Sequence, residues 1–380
     1  MEDDSDDDLS DPAGRANSEP DASVTPDLFR AWRLPRFGRA NPERLNNPVW
    51  EWLIRTRLSA YWANEKFSPS LYGTGPCWCF RRFGQSKTRL PDGSLVLIGG
   101  EHEDFYDPDF YIYNDVVVRR PDESIEIYGY PKGIFAPTDS HSATLVNERI
   151  IIVGNLGYPA ERKPGSTPVY SLDLKDFGIS AIDCIGEAPG WLHKHNALYA
   201  PNENAIVITG GLLVRDDDRP SFVENIDDWK LHLADQRWER MTRRRWKRWD
   251  VRRGDGLDTQ LFWIGSAWRL KGVSGQGISE MFEQGMQRLD DELGFRPDLD
   301  LYEKLYAPPI PHNRVPERED EFRVCRIDVN GVTVRYSEQN AGVLITIEGD
   351  LPSSIADIIV ADFVDKVSAL ERAPYEVFRL

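Results

Sequence analysis

Cysteine is scarce in this sequence: its 380 residues include four, Cys77, Cys79, Cys184 and Cys325. Three of them lie in or beside apolar, strand-like runs, where a reduced thiol packs as a small hydrophobic side chain. The pair Cys77-Trp-Cys79 has one intervening residue, where a zinc half-site has two or more, and no second pair follows. The sequence therefore predicts buried thiols in a reducing compartment, and it speaks against a disulfide framework or a zinc site.

Long apolar runs are also lacking. The longest, such as Leu95–Ile98 and Ile150–Val153, are short strand-like stretches, whereas a membrane helix needs about 20 apolar residues. The N-terminus is acidic and has neither the positive flank nor the apolar centre of a secretory signal. We therefore expect a cytoplasmic protein without a membrane partner.

Positive charge is the third shortage: 46 lysines and arginines face 63 aspartates and glutamates, which gives a net charge of -17. Such a chain repels polyanions, so nucleic acid is not an expected partner. Residues 243–253 depart from this balance, because basic residues surround Trp246 and Trp249. This stretch has two interpretations. It is a local surface that holds phosphates and stacks bases, or a structural segment whose arginines pair with the chain's own acids while its tryptophans enter the core.

The chain does contain enough apolar residues for a large core or two smaller ones, with 40% hydrophobic residues and 12 tryptophans. Residues 1–25 are rich in Asp, Ser and Pro, which predicts a disordered acidic tail that keeps the protein soluble or serves as an interaction arm. Residues 26–76 are predicted to be helical. Between Pro48 and Phe67, apolar residues recur every three or four positions, which predicts an amphipathic helix that packs on the next domain or docks a partner.

Residues 77–242 contain a four-strand pattern three times. Gly99, Gly154 and Gly210, each at the end of an apolar run, are 55 and 56 residues apart. In every copy the fourth predicted strand contains a residue 28 positions beyond this glycine, namely Ile127, Ile182 or Trp238. A repeat of this length with four strands per unit is typical of propeller blades, which stack on their neighbours to bury both faces.

The third copy resembles a kelch repeat in Gly186-Glu-Ala-Pro189, His195-Asn-Ala, Ala205-Ile-Val-Ile-Thr-Gly-Gly211 and Trp238, and the second begins similarly with Pro137-Thr-Asp-Ser-His141. The resemblance covers about residues 83–241 and implies a β-propeller with four-stranded antiparallel blades. Two departures are Gly154-Asn155 in place of a glycine pair and a fourth-strand tryptophan in one copy alone. Because propellers usually have four to eight blades, we expect a mainly β, kelch-like propeller that is incomplete or capped, or that has diverged flanking blades.

The remainder of the chain divides near residue 320. Residues 243–320 are predicted to be a basic, tryptophan-rich and helical connector that ends in the proline-rich stretch 308–316. Residues 321–380 are predicted to form a small α+β domain, with a hairpin turn at Asn330-Gly331 and a helix from about Ser353 to Leu370. This domain caps the propeller or pairs with another subunit.

The candidate site residues lie in the insertions between the second and third strands, because loops on a rigid scaffold are where binding residues are commonly placed. In the first copy the insertion is acidic, and its clustered oxygens could ligate a divalent cation, although the spacing fits no known metal loop. In the second copy it carries an aromatic and a basic residue. The predicted ligand- or partner-binding residues are His102, Glu103, Asp104, Asp107, Asp109, Tyr158 and Arg162, and the metal candidates are Glu101, His102, Asp107 and Asp109.

No nucleophile elbow, phosphate loop, zinc-protease motif or kinase set is present in the sequence. The prediction is therefore a non-catalytic kelch-like module, without a cofactor, that binds a protein partner through its propeller-face loops. The alternative is an enzyme that depends on a metal or small ligand held by the loop 101–109 and nearby histidines. His141 and His195 occupy equivalent repeat positions, which favours a repeated structural hydrogen bond over catalysis.

Overall fold

The computed structural model describes residues 24–67, 75–104, 107–215, 222–275, 277–316 and 323–380, without the side chains of residues 104 and 107–109. The protein is mainly β, with 32% of residues in strands and 24% in helices. It forms two compact units, one ending at Arg243 and the other beginning at Arg244. The predicted acidic tail lies outside the described residues as far as position 23.

Three short helices begin the first unit: α1 Pro26–Trp32, α2 Pro48–Thr56 and α3 Ala60–Phe67. The sequence predicts one helix over 48–67, but the chain breaks at Arg57, which has a left-handed backbone with φ 53°. Apolar residues of the helices, among them Trp50 and Leu53, share a core with Leu97 and Val117. The predicted packing of this segment on the following domain is thus confirmed.

Strands make up the rest of the first unit. In chain order they are β1 Glu43–Arg44, β2 Ser86–Arg89, β3 Leu95–Ile98, β4 Glu101–Asp104, β5 Asp107–Ile112, β6 Val116–Arg119, β7 Ile125–Gly129, β8 Ser142–Val146, β9 Arg149–Val153, β10 Val169–Asp173, β11 Ile179–Ala181, β12 Ile185–Gly186, β13 Leu192–His193, β14 Asn196–Ala200, β15 Ala205–Thr209, β16 Leu212–Val214, β17 Phe222–Glu224, β18 Trp229–His232 and β19 Arg237–Arg240.

Each of the three copies folds as an antiparallel four-stranded meander. The first sheet has the strand order β1-β7-β6-β3-β2, the second β11-β10-β9-β8, and the third β12-β19-β18-β15-β14. The insertions form β4–β5 in the first copy and β16–β17, with β13, in the third. The four strands predicted for each copy are therefore present, in the predicted order. Among the described residues these sheets do not close into a ring.

The sheets stack face to face because each strand alternates its side chains between two apolar faces. Val96 and Ile98 of the first sheet pack against Ile150 and Ile152 of the second. Ile151 and Val153, on the other face of the second sheet, share a core with residues of the third, namely Ile206, Ile208, Trp229, Leu231 and Trp238. A sheet with two buried faces cannot stand alone, so the copies stabilise one another.

The same hydrogen bonds recur where one copy meets the next. His141 Nε2 and Ser86 Oγ share a bond of 2.8 Å, and His195 Nε2 and Ser142 Oγ share one of the same length. The residues two positions before each first strand are also linked through the backbone: Ser140 N–H donates to Gly84 O, and Lys194 N–H donates to Ser140 O, each at 2.8 Å. The repeated structural bond predicted for the two histidines is thus confirmed.

The outer face of the third sheet differs from those that are covered. On the face opposite the buried Trp229, Leu231 and Trp238, this sheet carries Lys230, His232 and Glu239, and Leu198 beside them is 72% exposed. His232 Nε2 lies 2.8 Å from a carboxylate oxygen of Glu239, and the Lys230 ammonium donates to Glu203. Terminal repeats of stacked arrays carry such polar faces because water covers them.

The second unit is one six-stranded sheet with helices. Its strands are β20 Lys247–Arg253, β21 Asn313–Val315, β22 Val324–Val329, β23 Val332–Glu338, β24 Gly342–Ile347 and β25 Tyr375–Arg379, in the order β21-β22-β23-β24-β20-β25. The helices are α4 Leu261–Leu270, α5 Ile278–Leu293, α6 Leu299–Glu303 and α7 Ser353–Glu371. The predicted hairpin turn is confirmed, with positive φ angles at Asn330 and Gly331.

The stretch assigned to a connector, 243–320, contributes to this sheet, because β20 pairs with both β24 and β25. In the same strand Trp249 is buried in the core of the unit. Arg252 donates to the Asp250 carboxylate at 2.7 Å, and Arg253 donates to Glu371 at 3.0 Å. For these residues the structural interpretation of the basic stretch is therefore confirmed. In the described part of the chain, none of the helices is long and apolar enough to cross a membrane.

Candidate functional site in the first unit

The insertions and the segments that lead into each first strand lie at the same end of the three sheets. In a four-stranded meander the first strand starts, the second ends, the third starts and the fourth ends at one edge. Gly84, Ser140 and Lys194 stand two residues before the first strands, and all three have positive φ angles between 54° and 61°. The sharp turn at these positions brings the three leading segments together.

A cleft of about 440 Å³ opens between these segments. All three copies contribute to its wall: the first supplies Phe83, Gly84, Gln85 and Glu101, the second Asp139, Ser140, His141 and Leu156, and the third Lys194. Its size is within the usual range of small-molecule and peptide-anchor pockets. Phe83 at its margin is 59% exposed, so a large apolar side chain stands beside a charged cleft.

Two carboxyl groups give the cleft its electrostatic character. Burial raises the pKa of the Glu101 carboxyl, and the negative charges of Asp139 and Glu103 raise that pKa further. The pKa of Asp139 is also raised, chiefly by burial, although hydrogen bonds from Gly157 N–H and the Ser140 hydroxyl favour its charged form. The buried Oε2 atom of Glu101 has no hydrogen-bond partner among the described residues. A cation that entered the cleft would relieve the repulsion and supply that partner.

Basic groups stand near these carboxyls. The positive charge of Lys194 lowers the pKa of both Glu101 and Asp139, and that of Arg162 lowers the pKa of Asp139. Lys194 is exposed at the mouth, whereas burial lowers the pKa of the half-buried Arg162 guanidinium. The cleft thus has an acidic wall and a basic margin, a pattern that matches a partner with charges of both signs.

Tyr158 and Arg162, both predicted as binding residues, first of all join the insertions to one another. The Tyr158 hydroxyl accepts a hydrogen bond of 2.9 Å from Ile112 N–H in the first insertion. Arg162 donates to the Leu156 and Gly157 carbonyls and lies over the Phe222 ring of the third insertion, 5.7 Å from its centre. These contacts hold the surface around the cleft in one arrangement.

The acidic insertion of the first copy is a β-hairpin, β4–β5, rather than an irregular loop. Glu101 lines the cleft, and Glu103, two residues further along the same strand, is exposed. His102 contributes to a lowering of the pKa of the buried Cys79 thiol, so it belongs to the opposite face of β4. Glu101 and His102 therefore do not act on the same surface.

The side chains of Asp104, Asp107 and Asp109 lie outside the described residues. Among the side chains that are described, no three from His, Cys, Asp and Glu are grouped so that they could hold a metal ion. The metal site at 101–109 accordingly stays a prediction.

The histidines near the cleft are neutral and buried. Burial lowers the pKa of His141 to about 3, that of His193 to about 3 and that of His195 to about 4. His193 packs edge-on against the Phe222 ring, with 4.9 Å between ring centres, while His195 is bonded to Ser142. The two side chains therefore have different partners, and a metal shared between them receives no support from this arrangement.

Sequence reasoning missed Phe83, Asp139 and Lys194 as site residues because it considered the insertions and not the leading segments. A usable signal was present: Gly84, Ser140 and Lys194 are equivalent in the three copies, and the backbone bond that recurs there does not need the lysine side chain. Residues that vary at one scaffold position are where repeat proteins acquire binding specificity.

Comparisons with known proteins do not identify a family or a function for this chain, so the function has to be inferred from the geometry of the cleft. No family model matches the sequence, and no curated protein matches it. Among solved structures the chain is similar to one described as "Structure of YjhT", with 10% sequence identity, a TM-score of 0.25, and coverage of 42% of this chain and 70% of that one. A likeness of that size supports no statement about fold or function.

Proposed function

We propose that the first unit is a non-catalytic, kelch-like interaction module that binds a protein partner at the cleft and the surrounding insertions. The observation that carries the proposal is the composition of the cleft wall, to which all three copies contribute chemically different residues. The scaffold repeats while the cleft residues do not, and a module of stacked sheets recognises its partner through such variable positions.

The kelch-like architecture is supported by the shared register of the three meanders and by the histidine–serine bonds between copies. In this proposal the array is incomplete: the N-terminal helices cover the first sheet, and polar residues end the third. One covered end and one polar end remove the need for a closed ring.

The partner is proposed to insert a lysine or arginine side chain between Glu101 and Asp139 while an apolar group packs on Phe83. A buried carboxylate pair attracts a cation more strongly than a solvated pair does, because little water screens it. Aromatic residues are enriched at protein interfaces, and an aromatic side chain beside a pocket that a partner fills often contributes much of the binding energy.

Affinity capture from cell extract tests the proposal when two variants are compared quantitatively with the wild-type chain. Glu101→Gln removes one negative charge from the cleft, and Phe83→Ala removes the aromatic group. We expect both variants to weaken the binding of one shared partner by about tenfold or more, Glu101→Gln through the loss of one charge-assisted contact and Phe83→Ala through the loss of one apolar contact. The captured protein is then purified, and its dissociation constant is measured against each variant.

Glu148→Gln and Ile185→Ala are matched controls, because both residues are exposed and neither lines the cleft. They change the same kinds of side chain elsewhere in the first unit. A partner that is retained equally by cleft and control variants contradicts the proposal. Asp107→Ala and Asp109→Ala extend the test to the first insertion.

The second candidate, a metal- or ligand-dependent enzyme at 101–109, rests on the same acidic residues. Metal analysis of the purified protein, followed by calorimetric titration of Ca²⁺, Mg²⁺ and Zn²⁺, distinguishes it from the interaction module. Stoichiometric metal that is lost in Glu101→Gln would favour the enzyme. The absence of bound metal, together with the absence of binding heat in every titration, would rule out this second candidate.

A further inference from the structure

A second cavity, of about 360 Å³, lies within the second unit and is independent of the proposed partner cleft. It is bordered by α4, α6, the segment between α6 and β21, and strands β22 and β23. Its volume is near the lower end of the range for small-molecule sites. A ligand of that size buries most of its surface, so the chemistry of the wall determines which ligand fits.

Aromatic rings form one side of this cavity. Trp268, Tyr302 and Tyr306 follow one another, with 5.9 Å between the first two ring centres and 6.3 Å between the next two. Phe262 completes the set, and the Arg323 guanidinium lies over its ring, 5.2 Å from the centre. Walls of this kind bind planar rings through stacking and edge contacts.

A buried carboxylate also lines the cavity. The side chain of Glu338 is 9% exposed, and it accepts a hydrogen bond of 2.5 Å from the Tyr306 hydroxyl and one of 3.4 Å from Arg323 Nε. Its negative charge is thus balanced inside the protein. The Nδ1 atom of His312 donates to the Ile310 carbonyl at 2.8 Å, so in the neutral ring Nε2 is an acceptor.

The mouth of the cavity is basic. Arg269 and Arg314 line it and are exposed, and Arg323 lies deeper. Among the described residues that line it, the carboxylates are Glu338, which accepts hydrogen bonds from Arg323 and Tyr306, and the exposed Glu303. Three arginines against two glutamates in this described lining are a specific feature in a chain with a net charge of -17, because the overall field of the protein repels anions.

We propose that this cavity binds a small planar aromatic ring that bears one anionic group, either a carboxylate or a phosphate. The ring contacts Trp268 and Tyr302, whose rings are inclined to each other by 51°, by stacking on one and meeting the other edge-on, and the anionic group meets the guanidinium groups of Arg269 and Arg314. Arginine suits both kinds of anion, since its fork of N–H donors matches two oxygens at once.

Isothermal titration of the full-length protein tests this with two acids and their neutral counterparts: 2-naphthoate against 2-naphthalenemethanol, and adenosine monophosphate against adenosine. We expect one acid to bind at a single site and its neutral counterpart to bind at least about tenfold more weakly. Binding of naphthoate alone identifies a carboxylate ligand, whereas binding of the nucleotide alone identifies a phosphate ligand.

Arg314→Gln and Arg269→Gln are each expected to lower the affinity for the acid about tenfold, the usual effect of losing one charge-assisted contact. Arg296→Gln is the control, because it removes an exposed arginine that is paired with Glu283 and does not line the cavity. Unchanged melting temperatures establish that the variants are folded. Three results overturn the proposal: no saturable binding of either acid at millimolar concentration, equal binding of acid and neutral counterpart, or equal effects of Arg296→Gln and Arg314→Gln.

An acidic peptide is the remaining occupant to distinguish. The peptide Phe-Glu-Asp-Glu serves as a probe, since it offers one ring and several carboxylates. If this peptide binds saturably and neither small acid binds, the cavity is assigned to a protein segment and the proposal is overturned.

Discussion

Arg82 and Asp115 form a buried ion pair next to the start of β6. The Arg82 side chain is fully buried and donates to the Asp115 carboxylate at 2.5 and 3.0 Å. Trp78 Nε1 donates to the same carboxylate at 2.8 Å, and the Tyr113 ring centre lies 3.4 Å from the guanidinium carbon. One pair thus joins the segment before the first copy to the start of β6.

Arg82→Met is expected to lower the free energy of unfolding by about 3–5 kcal/mol, because it leaves the Asp115 charge buried without its partner. Arg237→Met, which breaks the exposed pair with Asp235, is the matched control and should cost less than about 1 kcal/mol. Urea denaturation followed by tryptophan fluorescence measures both. Similar losses in the two variants would show that the buried pair has no special role.

Acid should destabilise the protein through His141. Because its pKa is lowered to about 3 by burial, the unfolded chain takes up a proton below pH 6.5 while the folded chain does not. The contribution of His141 to the free energy of unfolding is therefore constant above about pH 6.5 and falls as the pH is lowered toward 3, by about 2 kcal/mol at pH 5.

The variant His141→Gln tests this pH dependence, because Gln85 stands at the equivalent position in the first copy. Glutamine can keep a bond to Ser86 and does not titrate. The loss of stability between pH 7.5 and pH 5, measured by urea denaturation, should be about 2 kcal/mol smaller in the variant. An unchanged loss would mean that His141 is protonated in the folded protein at pH 5.

Alanine substitutions at two equivalent glycines distinguish the cost of a strained backbone from the cost of a steric clash. Gly154 and Gly210 both have positive φ, 79° and 63°, but a Cβ at Gly154 would collide with the Leu192 carbonyl oxygen, whereas one at Gly210 meets nothing within 4 Å. Gly210→Ala should cost about 1–2 kcal/mol for the left-handed backbone alone. Gly154→Ala should cost about 1–3 kcal/mol more, because the next leading segment must move.

Thermal melting of the two alanine variants, in parallel with the wild-type chain, makes this comparison. The larger loss must occur at Gly154. Equal melting temperatures would indicate that the second and third sheets do not approach each other as closely as Leu192 and Gly154 do here.

Local patterns predicted the sheets of the first unit, and the hairpin turn and helix α7 of the second, but they did not predict the pairing of β20. Gly99, Gly154 and Gly210 all have positive φ angles directly after a second strand, so their spacing located every second strand. By contrast, β20 pairs with β24 and β25 across about ninety or more residues, and its three arginines and one lysine are not typical of a central strand. The break at Arg57 was missed because the apolar spacing continues on both sides of it.

Only those parts of the candidate site that have a local sequence signal could be predicted. Glu101 was predicted from its own acidic neighbourhood, which is a local feature. Asp139 and Lys194 join it only through the stacking of three sheets, and nothing within a few residues of either position indicates that meeting. The cavity of the second unit depends on α4, α6 and β22 together, so a single stretch of sequence could not reveal it.

The polar outer face of the third sheet restricts how the protein can grow by gene duplication. A further copy added after Met241 would meet Lys230, His232 and Glu239, and no apolar face would be available to hold it. A duplicate of the second copy, inserted beside the original, would find apolar residues on both of its sides. The array can therefore lengthen in its middle, while its last sheet stays last.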